Sequence, residues 1–286
     1  MTGVRVVVVG AGVVGLSTAV CIAESLPVCS VTLLAEKFSP DTTSDGAAGI
    51  VFAAPFPDIP LERQRRWFKD SFDHLLAIAQ SQHAPDAGVI LSSGWQIFKE
   101  VPATKEPYWS DLVIGFRAMT DRELKRFPDH KFGQVFTTVK CECSSYLPWL
   151  EERFRKAGGR VEQRRVSSLQ ELGDGFDLVV NCSGLGSKAL VGDPGVGDSA
   201  SILERCSRLE PSLKKAKVLG EWVGLRPSRR NPRVERERML LQGRTSVPVV
   251  HNYGHGGWGV TIAWGTALDA LGLVRQCLKE MPRAKL

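Results

Sequence analysis

The sequence predicts an α/β protein in which a parallel-sheet domain is interleaved with a second domain built on an antiparallel sheet. Three observations carry that reading. The apolar run Val6-Val7-Val8-Val9 leads into Gly10-Ala11-Gly12-Val13-Val14-Gly15 and then into a helical stretch from Leu16 to Glu24. A second apolar run, Phe176 to Asn181, ends in Cys182, Ser183 and Gly184, as a central parallel strand does where its end faces a ligand. A third, Val247 to Asn252, opens into the glycine-rich loop Gly254 to Gly259 and a helix from Thr261 to Leu278. A glycine turn at each end, with unlike material between, divides the chain. Residues 1–54, 145–195 and 242–286 are assigned to the first, Rossmann-like domain, and 55–144 and 196–241 to a substrate or cap domain.

Each opening element has a physical task. Gly10 allows the tight turn after the strand, Gly12 lets a pyrophosphate approach the backbone, and Gly15 packs the helix onto the strand. The helix N-terminus then points its free N–H groups and dipole at the phosphates. A second strand, Val31 to Leu34, carries Glu36 at its end, about twenty residues past the last glycine, where a carboxylate suits ribose hydroxyls. Strand, turn, helix, strand and acid in register indicate an adenine dinucleotide site. Asp41-Thr42-Thr43-Ser44-Asp45-Gly46-Ala47-Ala48-Gly49-Ile50 follows, small residues that let the backbone come close to a ligand.

Farther along, Leu61 to Ser81 places Trp67, Phe68, Phe72, Leu75, Leu76 and Ile78 near helical spacing, which reads as core. Val89-Ile90-Leu91 and Trp95-Gln96-Ile97-Phe98 read as paired strands around Ser92-Ser93-Gly94. A short helix is expected over 120–127, started by Thr120 or Asp121, and a longer amphipathic one over 145–157.

Composition excludes several classes. A chain of 286 residues with 43% hydrophobic and 24% charged content is an ordinary globular protein with a substantial core. The net charge of +6 would point to nucleic acid only if clustered. The one dense stretch, Arg226 to Arg238, alternates with Glu235 and Glu237 and lacks interleaved aromatics, so it reads as a solvated strand face. Cys141-Glu142-Cys143 has the wrong spacing for a metal or redox pair, no metal site is expected, and Cys21, Cys182 and Cys277 read as small buried hydrophobes. The scattered thiols indicate a reducing compartment. No apolar segment reaches membrane-spanning length. The terminal Ala284-Lys285-Leu286 has the small–basic–Leu pattern of a peroxisomal address.

Hydrolytic machinery is absent: His74, His83, His130, His251 and His255 sit in neither G-x-S-x-G nor H-E-x-x-H contexts. His255, inside the glycine loop, could orient backbone or cofactor, or be a structural histidine. Arg226, in Gly224-Leu225-Arg226-Pro227, is placed for a fixed guanidinium that grips a carboxylate bidentately. No side chain is singled out as a catalytic acid or base.

At this point the residues resemble a family, the FAD-dependent D-amino-acid oxidases. The likeness rests on Val8 to Ser17, Asp41 to Asp45, Ser93-Gly94-Trp95-Gln96-Ile97-Phe98, the run from Phe132 to Glu151, Val180 to Ser187, Val223 to Pro227, and His251 to Gly257, and it spans essentially the whole chain. Within the family the branch acting on acidic D-amino acids is most similar. The resemblance implies FAD as cofactor, a D-amino acid and dioxygen as substrates, and 2-oxo acid, ammonia and hydrogen peroxide as products. It implies hydride transfer from the substrate Cα to the flavin, which needs positioning more than acid–base groups. It also implies residence in the peroxisome matrix, reached through an import receptor that reads Ala284-Lys285-Leu286.

By motif match, Arg226 would hold the substrate carboxylate, with Gly256 beside it. Gly10, Gly12, Val13, Val14 and Gly15 would cradle the pyrophosphate, and Glu36 and Lys37 would contact the adenosine ribose. Thr43, Ser44, Gly49 and Ile50 would run along the cofactor, Val166 would lie near the adenine, and Gly256, Gly257, Trp258, Gly259, Val260 and Thr261 at the flavin ring.

The chain departs from the family after Gly192. The family continues into strands with a P-x-R-G-Q motif and active-site tyrosines, whereas here Gly192 runs through Pro194 into Ser201 to Cys206, so about fifty residues are missing, enough for several strands. A histidine that the acidic-substrate branch carries before P-D-x-P is replaced near Ala54. Two alternatives therefore stay open: an oxidase of neutral D-amino acids, as the loop Asn252 to Gly257 would allow, and a non-catalytic form that keeps at most FAD binding.

Overall fold

The computed structural model describes residues 3–187, 190, 206, 209–212, 224–241 and 246–281. The segment after Gly192, where the sequence departs from the family, and the terminal Ala284-Lys285-Leu286 lie outside the described residues.

The first strand, β1 (Val4–Val9), is buried at every position but Arg5. A strand covered on both faces can only sit in the middle of a sheet, and β1 pairs in parallel with β2 (Cys29–Ala35) on one side and β7 (Leu178–Asn181) on the other. The sheet continues outward to β6 (Arg160–Gln163) beside β2, and to β9 (Val247–His255) beside β7, all parallel. Its last strand, β8 (Ser228–Met239), runs antiparallel to β9 and completes six strands in the order β6-β2-β1-β7-β9-β8.

Helix α1 (Val13–Ser25) is apolar on nearly every face because it is sandwiched between the sheet and two other helices, α5 (Cys143–Lys156) and α6 (Gly259–Lys279). Helix α2 (Leu61–Ala79) buries Trp67, Phe68, Phe72, Leu75 and Ile78 as the spacing predicts. It crosses α6 so closely that a Cβ on Gly265 would lie 2.3 Å from the Trp67 carbonyl oxygen. Asp269 on α6 locks that crossing, accepting from Arg63 Nε (2.9 Å), Arg66 (2.7 Å) and Trp67 Nε1 (2.8 Å).

A separate antiparallel sheet has the order β3-β5-β4, from β3 (Val89–Phe98), β4 (Ile114–Ala118) and β5 (Phe132–Cys141). A one-turn helix α3 (Ala84–Ala87) precedes β3, and α4 (Asp121–Leu124) starts at Thr120 with a reciprocal capping box to Glu123. Segment 49–51 runs beside β5, with Cys141 N–H donating to the Gly49 carbonyl (2.9 Å) and Val51 N–H to that of Val139 (3.0 Å). That link carries the chain from the large sheet into the small one.

Two expectations are corrected. The 89–98 stretch is one continuous strand, not two strands around a Ser-Ser-Gly turn. All ten residues pair with β5, and Ser93 and Thr137 exchange a side-chain hydrogen bond across the ladder (2.6 Å). Residues 196–241 were assigned to the second domain, yet β8 belongs to the large sheet. The reason is β9: it is buried along its whole length, so its backbone groups need a partner on each side, and β8 supplies the outer one. The Arg/Glu alternation of β8, exposed from Glu235 to Arg238, lies on the edge strand of this sheet among the described residues.

All seven cysteines are free thiols. Burial pushes the thiols of Cys21 and Cys182 up to about 12, so both stay protonated and behave as apolar filler. Among the described residues there is no group of side chains arranged to hold a metal ion, and no helix is long and apolar enough to cross a membrane.

Candidate functional site: a cleft between two helix N-termini

The C-terminal ends of β1, β7 and β9 open into one cleft of about 2000 Å³. Every residue marked from the sequence as a contact lines it, from the first glycine turn through Glu36, Lys37, Ser44, Ile50 and Val166 to Arg226 and the 256–261 loop.

The first turn works by exclusion of side chains. Gly10 has φ +110° and lies so close to the next strand that a Cβ would sit 2.4 Å from the Cys182 carbonyl oxygen. A Cβ on Gly15 would come to 1.8 Å from the Gly10 carbonyl oxygen, so α1 can start there only with glycine. Gly12 differs: within 4 Å its Cβ would meet only Ser44 Oγ, at 3.0 Å, which leaves its face open to the cleft. Ser44 is held over the turn by its own loop. Asp45 accepts from the Thr42 N–H (2.9 Å) and hydroxyl (2.6 Å), and Ser44 Oγ accepts from Val13 N–H (3.0 Å).

The second turn repeats the logic from the far side. A short 3₁₀ turn at Gly256–Trp258 feeds α6, which starts without a cap from its own N-cap residue and without an acid in its first turn; α1 shares both properties, its Val13 N–H alone being taken by Ser44. Two helix N-termini thus present free N–H groups and positive dipole ends to one cleft. Thr261 Oγ1 donates to the Phe52 carbonyl (3.0 Å) and Phe52 packs edge-on against Trp258 at 5.4 Å, pinning the 49–52 segment to the start of α6.

Arg226 approaches this turn along an extended strip that enters β8. Gly256 N–H donates to the Pro227 carbonyl (3.1 Å), and a Cβ on Gly257 would lie 3.1 Å from an Arg226 terminal nitrogen. Two other cations of the cleft are committed: Arg230 makes a bidentate pair with Asp58 (2.6 and 3.0 Å), and Arg165 faces Glu36 at 4.0 Å. The Arg226 carbonyl accepts from the Ser228 N–H (2.8 Å), and its guanidinium has no hydrogen-bond or ion-pair partner among the described residues.

Neither histidine at the end of β9 is free for acid–base work. His255 is buried, and its Nε2 faces Thr266 Oγ1 (3.0 Å), a contact that fits the structural alternative. His251 is also buried, between Asn181 and Glu237. Burial holds His255 down to about 3, and His74, enclosed between α2 and α6 against Trp264, likewise to about 3. Both are neutral in the folded chain, while the unfolded chain titrates near the ordinary value. Between about pH 6.5 and 3 the unfolded state therefore binds more protons, and stability falls on acidification by about 1.4 kcal/mol per pH unit for each histidine. Urea midpoints recorded from pH 7 to 4 should fall steadily, and His255→Gln should flatten that slope.

The polar lining suits a dinucleotide: two helix N-termini, a Cβ-free cradle at Gly12, and, as an acceptor at the cleft wall, a buried Asn252 Oδ1 with no partner among the described residues. Sequence reasoning missed Asn252, Phe52 and the Asn181–Ser183 turn. The small residues ending β7 were the only signal for the last of these.

Comparison with known proteins agrees. Residues 5–198 and 192–270 match the family described as DAO, FAD dependent oxidoreductase. This chain belongs to that family. A DAO-family protein is an oxidoreductase, and FAD is its cofactor. Among its relatives, human D-aspartate oxidase is 46% identical over 333 aligned positions, covering 98% of this chain and 97% of the relative. A D-amino-acid oxidase of Rubrobacter xylanophilus is 35% identical over 96% of this chain and 97% of its own. The solved structure of a Bacillus cereus glycine oxidase shares the fold at a TM-score of 0.69 and 16% identity, covering 98% of this chain and 99% of that one. The 333 aligned positions of the human relative exceed the 286 residues here, as expected where an internal segment is absent.

Proposed function

We propose that the chain is an oxidase of D-amino acids, with acidic ones such as D-aspartate preferred, releasing 2-oxo acid, ammonia and hydrogen peroxide. The observation that carries this reading is Arg226: a guanidinium beside the second glycine turn, with no counter-ion among the described residues. A planar fork there matches the α-carboxylate of an amino acid. The 46% identity to human D-aspartate oxidase supports the acidic preference. Bound FAD supplies the hydride acceptor. The chain's own groups then have positioning tasks. Arg226 would hold the carboxylate with Gly256 beside it, the 256–261 turn would receive the flavin ring, and Gly10, Gly12, Val13, Val14 and Gly15 would cradle the pyrophosphate, with Ser44 along the cofactor. Glu36 and Lys37 receive the ribose, Thr43, Gly49 and Ile50 flank the cofactor, and Val166 covers the adenine.

The purified 286-residue chain should be yellow, and anaerobic D-aspartate should bleach its visible absorption. D-aspartate, D-glutamate and N-methyl-D-aspartate should release more peroxide than D-alanine. A preference for D-alanine would sink the acidic reading. Residence in the peroxisome matrix through Ala284-Lys285-Leu286 belongs to the same proposal, and deleting those residues should release the protein to the cytosol.

One observation favours a second reading, a non-catalytic FAD binder. One face of the small sheet exposes Leu91 (43%), Trp95 (40%) and Ile114 (44%), an apolar surface that further strands of the absent segment would cover. Under that reading the yellow protein would not bleach.

A further inference from the structure

A polar chain, buried at His251 and Asn181, crosses the large sheet just beneath the cleft, and the proposed reaction does not account for it. Glu237 on β8 faces His251 Nε2 on β9 (2.7 Å), and His251 Nδ1 faces Asn181 Nδ2 at the end of β7 (3.3 Å). Asn181 Oδ1 accepts from both the N–H (3.2 Å) and the hydroxyl (2.7 Å) of Ser183, and Ser183 Oγ is 2.9 Å from Ser187 Oγ. His251 and Asn181 are fully buried.

Donor and acceptor roles follow in order. The Ser183 N–H can only donate, so the oxygen of the Asn181 amide faces Ser183 and its NH₂ faces His251. His251 Nδ1 must then be the bare, accepting nitrogen, and its proton must sit on Nε2, pointed at the Glu237 carboxylate. The groups around the ring are Glu237, Arg233 and Glu235 from β8, Asn181 from β7, and Tyr253 edge-on at 5.8 Å. Burial, and then Arg233, hold the ring below its ordinary value against the pull of Glu237, which keeps the imidazole neutral. Ser183 matters because of its neighbour. The Cys182 carbonyl is the atom against which Gly10 is packed, and Cys182 N–H donates to the Val9 carbonyl (2.9 Å). The turn after β7 and the phosphate-facing turn after β1 therefore cannot move independently.

We infer that His251 is a positioning residue of the flavin cradle: as its Nε2–H tautomer it orients the Asn181 amide, which holds the Ser183 turn against Gly10. The role rests on the FAD-binding reading of the cleft and concerns residues that touch no substrate.

Two substitutions separate this role from general packing. Asn places its carbonyl oxygen where Nδ1 stands, and keeps the Asn181 contact while losing Glu237. Gln places its amide where Nε2 stands, and keeps Glu237 while losing Asn181. Both remove one buried hydrogen bond, so a merely structural residue would respond alike to both. With protein stripped of flavin and titrated with FAD by fluorescence, His251→Asn should stay within about twofold of the wild type, and His251→Gln should bind about tenfold more weakly. Equal affinities, or the reverse order, would overturn the role. Should either variant fail to fold, ¹⁵N shifts of the wild-type imidazole decide: a protonated Nδ1 overturns the inference, and a bare Nδ1 with protonated Nε2 supports it. A wild-type chain that binds no FAD would instead overturn the reading of the cleft itself, and the cradle role with it.

Discussion

Gly15→Ala is expected to unfold or nearly unfold the first turn, at a cost of about 3 kcal/mol or more, and to abolish FAD binding. The magnitude follows from what the new methyl group meets. Its carbon would lie 1.8 Å from the Gly10 carbonyl oxygen and 2.8 Å from the carbonyl carbon, both backbone atoms, so no rotamer change relieves the clash. Gly10 cannot retreat, because a Cβ placed on it would already sit 2.4 Å from the Cys182 carbonyl oxygen. Helix α1 would have to move instead, and it is held between the sheet, α5 and α6. Gly12→Ala provides the contrast. Its methyl group would meet only Ser44 Oγ, the end of a movable side chain, and would project into the cleft. Urea denaturation should thus find Gly12→Ala close to the wild type in stability, with weakened flavin retention. Wild-type stability in Gly15→Ala would refute the packing role of that glycine.

What could be read in advance follows from how local each signal was. The strand–turn–helix from Val4 to Ser25 was legible because apolar period, glycine spacing and terminal Glu36 all act within a short stretch of chain. The same holds for the turn entering α6. The 89–98 strand was misread because Ser92-Ser93-Gly94 has turn composition. Its straightness depends on β5, which lies more than thirty residues away in sequence and pairs with every position. The sheet membership of β8 was illegible for a related reason, since its charged face says only that one side is wet and nothing of which strand lies on the other. Asn252 and the His251–Asn181 contact were beyond reach, because a buried amide gains meaning only from partners on other strands. Arg226 was found early, since Gly and Pro on either side of an arginine mark a rigid cation in a chain otherwise rich in paired ones.

Arg226→Leu should leave flavin absorbance and content unchanged while weakening a carboxylate inhibitor by about 3 kcal/mol, a factor on the order of a hundred. The flavin is spared because the guanidinium touches the second glycine turn only from the outside, near Gly257, and supports none of the groups at the first turn. Arg226→Lys keeps the charge and loses the fork, so it should fall between the two. The size of the loss also discriminates between the two functional readings. Arg226 is exposed in the described structure, and in an open, solvated cleft an ion pair contributes only about 1 kcal/mol or less. A value near 3 kcal/mol requires that flavin and substrate together exclude water from the guanidinium, as turnover demands. A loss below about 1 kcal/mol would mean that the pocket stays wet without the absent segment, and would favour the non-catalytic flavin binder. Spectral perturbation of the bound flavin by a small dicarboxylate, titrated against both variants, measures this difference directly. Unaltered binding in Arg226→Leu would reject the anchor altogether.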